Sequence, residues 1–296
     1  MPDLRSEAVV KASGSNFISS FRFLSDDKRR AMSVIYAFCR LTDDIVDLAE
    51  ERGAAAESAR LELDAWREDT LHALKGNFRP ETPQVLRELS GVAGKYRIEE
   101  KCFTGLIEGC RMDIEKRSYA DFQELYQYCY RVASLVGLMC LEVFGYRSPK
   151  SKDYAVNLGI AFQLTNILRD IRTDAVRGRV YIPEDDLARF GLDRREFMGV
   201  AVSGKAADGA MDKFERLMDF ETGRAREYYK KAVQCLEKED RPNLVAAEVM
   251  ASVYGAILDK IRRDPSRVVK GKVSLPRWLT LLKVLQGWVG NRLNLS

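Results

Sequence analysis

Residues 158–174, LGIAFQLTNILRDIRTD, place polar side chains at regular intervals within an apolar run. Gln163, Asn166, Asp170 and Asp174 are separated by three, four and four residues, so they share one face of a helix. The apolar residues between them are typical of helix faces that pack into a protein core. The pattern therefore predicts a buried helix, at residues 150–174, that carries one continuous polar stripe.

A second acidic cluster, RLTDDIVD at residues 40–47, follows the apolar run IYAFC. Asp43 and Asp47 are four residues apart and lie on one helix face. Such pairs often arise by chance on solvated helix faces, and like charges at this spacing destabilise a helix by roughly 0.2–0.5 kcal/mol. Burial increases that cost. Two such clusters inside apolar helices are best explained by a cation bound between them.

The chemistry of the ligands indicates which cation. Hard divalent cations prefer oxygen, and Mg²⁺ commonly combines a few carboxylates with phosphate oxygens and water. The pattern thus predicts two facing helices that hold Mg²⁺ and, through it, a diphosphate. Arg40 and Arg169 adjoin the carboxylates, and we expect them to contact phosphate oxygens that the metal ions leave free.

The composition excludes several other chemistries. The 296 residues include 48 Lys plus Arg, 44 Asp plus Glu and one histidine, His72. A single histidine excludes zinc-protease motifs with two histidines and di-iron sites built on two Glu-x-x-His pairs. No obvious nucleophile lies beside it for a Ser-His-Asp triad. The net charge of +4 is too small to indicate a nucleic-acid partner.

The distribution of proline favours an all-α chain. Proline is absent from residues 3–79, 84–148 and 184–241, and proline interrupts helices. Apolar periodicity predicts helices at residues 27–50, 55–75, 84–94, 99–115, 119–144, 150–174, 184–190, 193–199, 205–237, 241–263 and 276–292. No change in composition divides the chain, so we expect a single domain over residues 1–296, with residues 1–11 disordered.

Cysteine usage and hydropathy indicate a cytoplasmic protein. None of the six cysteines forms a Cys-x-x-Cys pair, which is typical of free thiols in a reducing compartment. The N-terminus has no apolar signal core, and no stretch is apolar enough to span a membrane. The amphipathic segment at residues 275–288 carries two tryptophans. It fits core packing or, alternatively, peripheral contact with the inner face of a membrane.

Two motifs, YAFCRLTDDIVD at residues 36–47 and QLTNILRDIRTD at residues 163–174, resemble the aspartate-rich motifs of the squalene and phytoene synthase family. RGRVYIP at residues 177–183 and YQYCYRVASLVG at residues 126–137 are similar to the same family. The resemblance covers roughly residues 12–285. It implies an isoprenoid synthase fold, a single helical domain around a central cavity. It also implies head-to-head condensation of two prenyl diphosphates with two or three Mg²⁺ ions.

The resemblance also implies roles for individual residues. The implied metal ligands are Asp43, Asp44, Asp47, Asn166, Asp170 and Asp174. The implied catalytic residues are Tyr36, Arg40 and Arg169 at the diphosphates and Tyr128 and Tyr181 at the reaction centre. The implied substrate contacts are Phe17, Ala133, Val136, Gly137, Gln163 and Lys272. The segment SGSNF at residues 13–17 lacks the histidine and lysine that some members carry there. The side chains that contact phosphate in those members are therefore absent from this sequence.

Four segments, at residues 12–17, 21–24, 63–67 and 144–149, look more like bacterial presqualene diphosphate synthases of hopanoid pathways than like phytoene synthases. The resemblance therefore implies farnesyl diphosphate as substrate, presqualene diphosphate as product and no use of NADPH. Alternatives are a phytoene synthase acting on geranylgeranyl diphosphate, a squalene or dehydrosqualene synthase, and a helical prenyl-binding protein without turnover. Complete aspartate motifs argue against the last. The oligomeric state and the depth of the tail pocket stay open.

Overall fold

The computed structural model describes residues 5–13, 21, 24–53, 56–204 and 209–275. Within these ranges the chain forms helices and connecting loops, and no β-strand. The prediction of an all-α fold is confirmed. No helix in these ranges is both long and apolar enough to cross a membrane.

The helices follow one another with short connections. They are α1 (Ser6–Ser13), α2 (Asp26–Glu51), α3 (Ala56–Leu74), α4 (Gln84–Tyr96), α5 (Glu100–Glu115), α6 (Phe122–Cys129), α7 (Leu135–Phe144), α8 (Lys150–Val176), α9 (Glu184–Arg189), α10 (Arg194–Ser203), α11 (Ala210–Cys235), α12 (Val245–Arg263) and α13 (Arg267–Lys270). A π-helical turn, Tyr130–Ser134, joins α6 to α7. A 3₁₀ turn, Arg241–Asn243, precedes α12.

The helix predicted at residues 119–144 is divided in the structure. It starts only at Phe122, because the side chain of Asp121 caps the N-terminus and accepts a hydrogen bond from the backbone N–H of Glu124 at 2.9 Å. The π turn then separates α6 from α7. A π turn inserts an extra residue into the helical repeat and frequently occurs at functional sites.

Other bounds differ by smaller amounts. The helix predicted at residues 241–263 begins at Val245, after a 3₁₀ turn that contains Pro242. The short helix α13 was not predicted. The helix predicted at residues 276–292 lies outside the described residues.

Helix α1 corrects the expectation of disorder over residues 1–11 for the part that the structure describes. The helix packs against α2 and α4, and its Val9 side chain is buried against them. The backbone N–H of Ser6 donates a hydrogen bond to Glu88 on α4 at 3.3 Å. The sequence signal was weak because the helix has only eight residues and gains its stability from tertiary packing.

Helix α8 occupies the centre of the fold and packs against α7, the π turn, α11, α12 and α13. Two groups of buried apolar side chains meet along it. Tyr154 and Leu158 pack with the group drawn mainly from α1–α5 and α7, whereas Leu164 and Ile171 pack with the group from α6 and α9–α13. Its remaining face carries the predicted polar stripe.

Helix α2 presents its acidic cluster from the opposite side. Met32, Ile35 and Phe38 are almost completely buried and anchor the helix in the core. One turn later, the buried hydroxyl of Thr42 accepts a hydrogen bond from the indole N–H of Trp66 at 2.9 Å. This anchoring leaves the face with the aspartates turned toward α8.

Candidate active site

Both acidic clusters line one cavity of about 670 Å³. Its walls come from the C-terminal half of α2, from α5, α6 and α8, and from the segment after α8. The predicted site residues that line it are Tyr36, Arg40, Asp43, Asp44, Asp47, Tyr128, Gln163, Asn166, Arg169, Asp170, Asp174, Tyr181 and Lys272. Residues that are more than 100 positions apart in the sequence are thus brought together, as the two-helix prediction required.

On the α2 side, arginine neutralises part of the acidic charge. The guanidinium of Arg40 lies 2.5 Å from an oxygen of Asp44 and 3.6 Å from an oxygen of Asp43. These are contacts one helical turn apart, so the helix itself sets their geometry. Arg40, which we expected at a phosphate, pairs with carboxylates in this structure.

On the α8 side, Arg169 forms two hydrogen bonds with the adjacent carboxylate of Asp170, at 3.0 and 2.5 Å. Lys272 approaches the same carboxylate at 3.8 Å and is largely exposed. The side-chain amide of Asn166 donates to Gln163 at 3.4 Å. The polar side chains of α8 therefore lie along one face, as predicted. Lys272 reaches this face from a distant part of the sequence.

Two aspartates remain poorly compensated. Burial and the neighbouring Asp47 raise the pKa of Asp43 to about 7, although water reaches it because 52% of the side chain is exposed toward the cavity. Burial and the neighbouring Asp170 raise the pKa of Asp174 to about 7 as well. An additional cation would restore the ionised forms, so the electrostatics of the cavity favours cation binding.

Sequence reasoning assigned no role to Arg177 and Arg179, which also line the cavity. Arg177 donates a hydrogen bond to Asp47 at 3.1 Å. Arg179 is buried, and it lies 3.7 Å from Asp47 and 2.9 Å from Glu50. The signal that could have found them is their place three and five residues after Asp174, directly beyond the end of the stripe.

The segment after α8 is fixed by its backbone. Gly178 adopts φ +74°, the left-handed conformation that commonly ends a helix and that favours glycine. Two residues later, the backbone N–H of Val180 donates a hydrogen bond to the carbonyl oxygen of Arg117 at 3.0 Å. This pairing directs the Tyr181 side chain into the cavity wall.

Asp113 on α5 is a further cavity residue that sequence reasoning missed. The hydroxyls of Tyr128 and Tyr181 donate hydrogen bonds to its two carboxylate oxygens, at 3.0 and 2.6 Å. Burial raises the pKa of Asp113 to about 6, an increase that Arg179 and the two hydrogen bonds limit. In the sequence, no other acidic residue stands three or four positions from Asp113. The spacing argument that identified the other aspartates therefore could not identify this one.

A second, apolar cavity of about 190 Å³ lies between α7, α8 and α12. Its lining includes Ala133, Val136 and Gly137, the residues that the family resemblance places at the prenyl tails. Gln163 and Asn166 line both cavities. A polar chamber and an apolar chamber thus share a wall, which suits a molecule with an anionic head and a hydrocarbon tail. Phe17 lies outside the described residues.

The oxygen atoms fit Mg²⁺ if substrate completes its coordination. In the described ranges, no three Asp, Glu, His or Cys side chains are gathered closely enough to hold a metal ion unaided. Mg²⁺, however, is usually held by one or two carboxylates, with phosphates and water as the other ligands. The Oδ1 atom of Asn166 is buried and accepts no hydrogen bond. Buried acceptors are normally paired, so this oxygen is available to bind a metal ion.

Comparisons with known proteins agree with this geometry. A family model described as squalene/phytoene synthase matches residues 10–279. A phytoene synthase from Mycobacterium bovis is 34% identical over 269 residues, or 91% of this chain and 84% of that protein. The crystal structure of a dehydrosqualene synthase with a bound ligand has a TM-score of 0.80 at 25% identity and covers 97% of this chain and 95% of its own. A squalene synthase from Alicyclobacillus acidocaldarius shares the fold, with a TM-score of 0.73 at 24% identity over 90% and 94% of the two chains.

Proposed function

This chain belongs to the squalene/phytoene synthase family, and we propose that it is an Mg²⁺-dependent enzyme that joins two prenyl diphosphates head to head. The isoprenoid synthase fold expected from the sequence is confirmed. The observation that carries the proposal is the convergence of both aspartate-bearing helices on one cavity, directly beside an apolar chamber. That arrangement supports a charged leaving group at one end and hydrocarbon at the other.

The metal site uses the cavity carboxylates and one amide. The proposed ligands are Asp43, Asp44, Asp47, Asn166, Asp170 and Asp174. Bound Mg²⁺ supplies positive charge that stabilises the departing diphosphate. Carboxylates on two packed helices would hold the ions in fixed positions and so would orient the substrate diphosphate.

The arginines of the cavity have two sets of partners. In this structure, Arg40, Arg169 and Arg177 pair with carboxylates. If those carboxylates held metal ions, the guanidinium groups would be available to bind phosphate oxygens, for which their planar, bidentate geometry is suited. Tyr36 and Gln163 line the same part of the cavity and are proposed to contact the diphosphates.

The carbon chemistry takes place where the two chambers meet. Departure of diphosphate from the first substrate leaves an allylic cation, and the C2–C3 double bond of the second substrate attacks it. Loss of a proton then closes a cyclopropane ring. Tyr128 and Tyr181 line the polar chamber, while Val136 and Gly137 line the apolar one. The apolar walls keep water away from the cation, which would otherwise be captured as an alcohol.

We propose farnesyl diphosphate as the substrate and presqualene diphosphate as the product, in squalene and hopanoid biosynthesis, without NADPH. Support comes from the four segments that look like presqualene diphosphate synthases and from the structural likeness to a dehydrosqualene synthase. The alternative is a phytoene synthase acting on geranylgeranyl diphosphate. It is favoured by the name of the Mycobacterium bovis relative.

The test is incubation of the purified protein with Mg²⁺ and either farnesyl or geranylgeranyl diphosphate, each with and without NADPH. Lipids are extracted before and after phosphatase treatment. We expect a phosphatase-sensitive C30 product from the shorter substrate, independent of NADPH. A C40 hydrocarbon formed from geranylgeranyl diphosphate would contradict the presqualene diphosphate proposal and support a phytoene synthase. A C30 hydrocarbon formed only with NADPH would indicate a squalene synthase.

A further inference from the structure

Asp113 joins two parts of the cavity wall. Tyr128 comes from α6 and Tyr181 from the segment after α8, and each donates its hydroxyl hydrogen to a different oxygen of the Asp113 carboxylate, at 3.0 and 2.6 Å. All three side chains line the catalytic cavity. The carboxylate therefore holds one hydroxyl on each oxygen, in a symmetrical arrangement that a chance surface contact would not produce.

The surroundings restrict the two tyrosines to this arrangement. Their ring centroids are 5.2 Å apart, and the ring planes are inclined by 28°. Tyr119, which does not line the cavity, packs on both rings with centroid distances of 5.6 and 5.9 Å. All of these rings are at least nine-tenths buried. Burial and the charge of Asp113 raise the pKa of Tyr128 and Tyr181 well above the usual value. Both phenols consequently remain protonated and act as donors.

The direction of the two O–H bonds has a consequence for the cavity. A phenol has one hydroxyl hydrogen, and donation to Asp113 leaves only oxygen lone pairs for the reacting molecule. We propose that Asp113 is a positioning residue for the condensation, an inference that rests on the proposed function. It turns the hydroxyls of Tyr128 and Tyr181 so that oxygen lone pairs, and no hydrogens, face the allylic cation.

This orientation stabilises positive charge that exists only after diphosphate has left. Fixed dipoles aimed at developing charge are effective because they need no reorganisation during the reaction. A hydroxyl free to rotate would point its hydrogen at the cation for part of the time, or would bind water that captures it. The expected effect of Asp113 is therefore on the fate of the cation, and not on the binding of the diphosphate.

Asp113→Asn tests this directly, because the amide has nearly the same shape but only one acceptor oxygen. Its NH₂ group must face one tyrosine oxygen and donate to it, which forces that hydroxyl hydrogen elsewhere. With Mg²⁺ and farnesyl diphosphate, we expect kcat for the C30 product to fall about 10²-fold while KM stays within about threefold. The share of substrate converted to prenyl alcohol should rise by about tenfold or more in the same assay.

Tyr119→Phe is the matched control. It removes a hydroxyl from the same aromatic cluster, and that hydroxyl has no hydrogen-bond partner in the described structure. The Phe variant keeps the ring packing and leaves the contacts of Asp113 intact, so we expect product, alcohol fraction and KM at wild-type levels. A general loosening of the cluster would instead affect both variants.

A second comparison remains informative even if Asp113→Asn folds poorly. The double variant Tyr128→Phe/Tyr181→Phe lacks both hydroxyls, so it should show the same rise in alcohol fraction, and adding Asp113→Asn to it should change that fraction by less than about twofold. A wild-type alcohol fraction in the double variant, or in a helical Asp113→Asn, overturns the positioning role. Absence of any C30 or C40 product from the wild type would instead contradict the proposed function.

Discussion

At the scale of residues, the cavity holds more carboxylates than the nearby cations neutralise. Arg40 and Arg169 each pair with neighbours on their own helix, yet Asp43 and Asp174 keep raised pKa values. Natural sites that tolerate such repulsion trade stability for function. Binding of the proposed Mg²⁺ would offset this cost, so we expect the stability of the protein to depend on the metal ion.

We predict that Asp43→Asn and Asp170→Asn each lower kcat/KM by about 10²-fold or more, because each removes a carboxylate from the proposed metal site. Helicity by circular dichroism should not change, since both side chains face the cavity. Mg²⁺ with inorganic diphosphate should raise the Tm of the wild type and not that of the variants.

Asp26→Asn is the control for this prediction. Asp26 lies on the same helix as Asp43, is 78% exposed and pairs with Arg29, one turn away on that helix. Its substitution should leave both turnover and the response of Tm to Mg²⁺ and diphosphate unchanged. Near-normal turnover in either cavity variant would argue against the metal role of the aspartates.

Residue spacing predicted the aspartates because a helix repeats every 3.6 residues, so a polar stripe is visible in the sequence. Asp113 has no such mark. It is one acid among 44, and its importance comes from two tyrosines, 15 and 68 positions away in sequence, that reach it only in the folded chain. Long-range pairing of this kind cannot be deduced from local periodicity.

At the scale of elements, α8 and the π turn approach each other more closely than ordinary helices can. A Cβ atom at Gly159 would lie 2.6 Å from the Cα of Ser134. The Ser134 hydroxyl also donates to the carbonyl oxygen of Val156 on α8 at 2.8 Å. The π turn carries Ala133, which lines the apolar cavity, so this contact helps to shape that cavity.

Gly159→Ala should lower the free energy of unfolding by about 1–3 kcal/mol. The added methyl group would collide with backbone atoms of Ser134, which can move only if the whole π turn moves. The displaced π turn should also raise KM for the prenyl diphosphate. Chemical denaturation and steady-state kinetics measure the two effects.

Gly199→Ala provides the comparison, since Gly199 lies in α10 and a methyl group added there would meet no atom of the described residues within 4 Å, apart from its own helix backbone. Alanine there should increase the free energy of unfolding by roughly 0.5–1 kcal/mol, as it does in helix interiors generally. Equal effects of the two substitutions would show that the contact between Gly159 and Ser134 does not limit the packing.

The π turn also marks a limit of prediction. Apolar periodicity indicated one helix over residues 119–144, and the sequence there is compatible with α-helix throughout. Whether one turn widens depends on what packs against it, here the close approach of α8, and that information is tertiary.

At the scale of the whole molecule, a buried ionic cluster connects α9 to α11. Arg224 donates to Asp186 at 2.7 Å and to Glu221 at 2.8 Å, and both carboxylates are buried. Burial, with Asp186 as a like-charged neighbour, raises the pKa of Glu221 to about 8 even though Arg224 opposes the change. The folded protein therefore keeps a proton that the unfolded chain releases near pH 4.5.

This pKa difference predicts a pH dependence of stability. The folded state binds more protons than the unfolded state between about pH 4.5 and 8, so the contribution of Glu221 is fully present below pH 4.5 and is lost as the pH rises through 8. Glu221→Gln should weaken this decline and be more stable than the wild type at pH 9 by about 1–3 kcal/mol.

Glu227→Gln controls for the loss of a charge from α11, because Glu227 is exposed and pairs with Lys230. Its free energy of unfolding should follow the wild type from pH 6 to pH 9. Parallel curves for the wild type and Glu221→Gln over the same range would refute the assigned pKa shift.

The architecture as a whole was largely predictable, since proline placement and apolar period indicate all-α structure and the two acidic motifs indicate which helices face each other. The arrangement of Arg177 and Arg179 around Asp47 was not predictable from these signals. It depends on the turn at Gly178 and on backbone pairing with residue 117, which only the folded chain brings together.

The most direct test of head-to-head condensation is a count of diphosphate released per prenyl diphosphate consumed, measured with Mg²⁺ on the wild-type protein alongside the C30 product. We expect one diphosphate for every two farnesyl diphosphates, because the cyclopropyl product retains the second. The product should contain two farnesyl chains. Release of one diphosphate per substrate with prenyl alcohol as the only organic product would contradict the joining of two chains in this cavity.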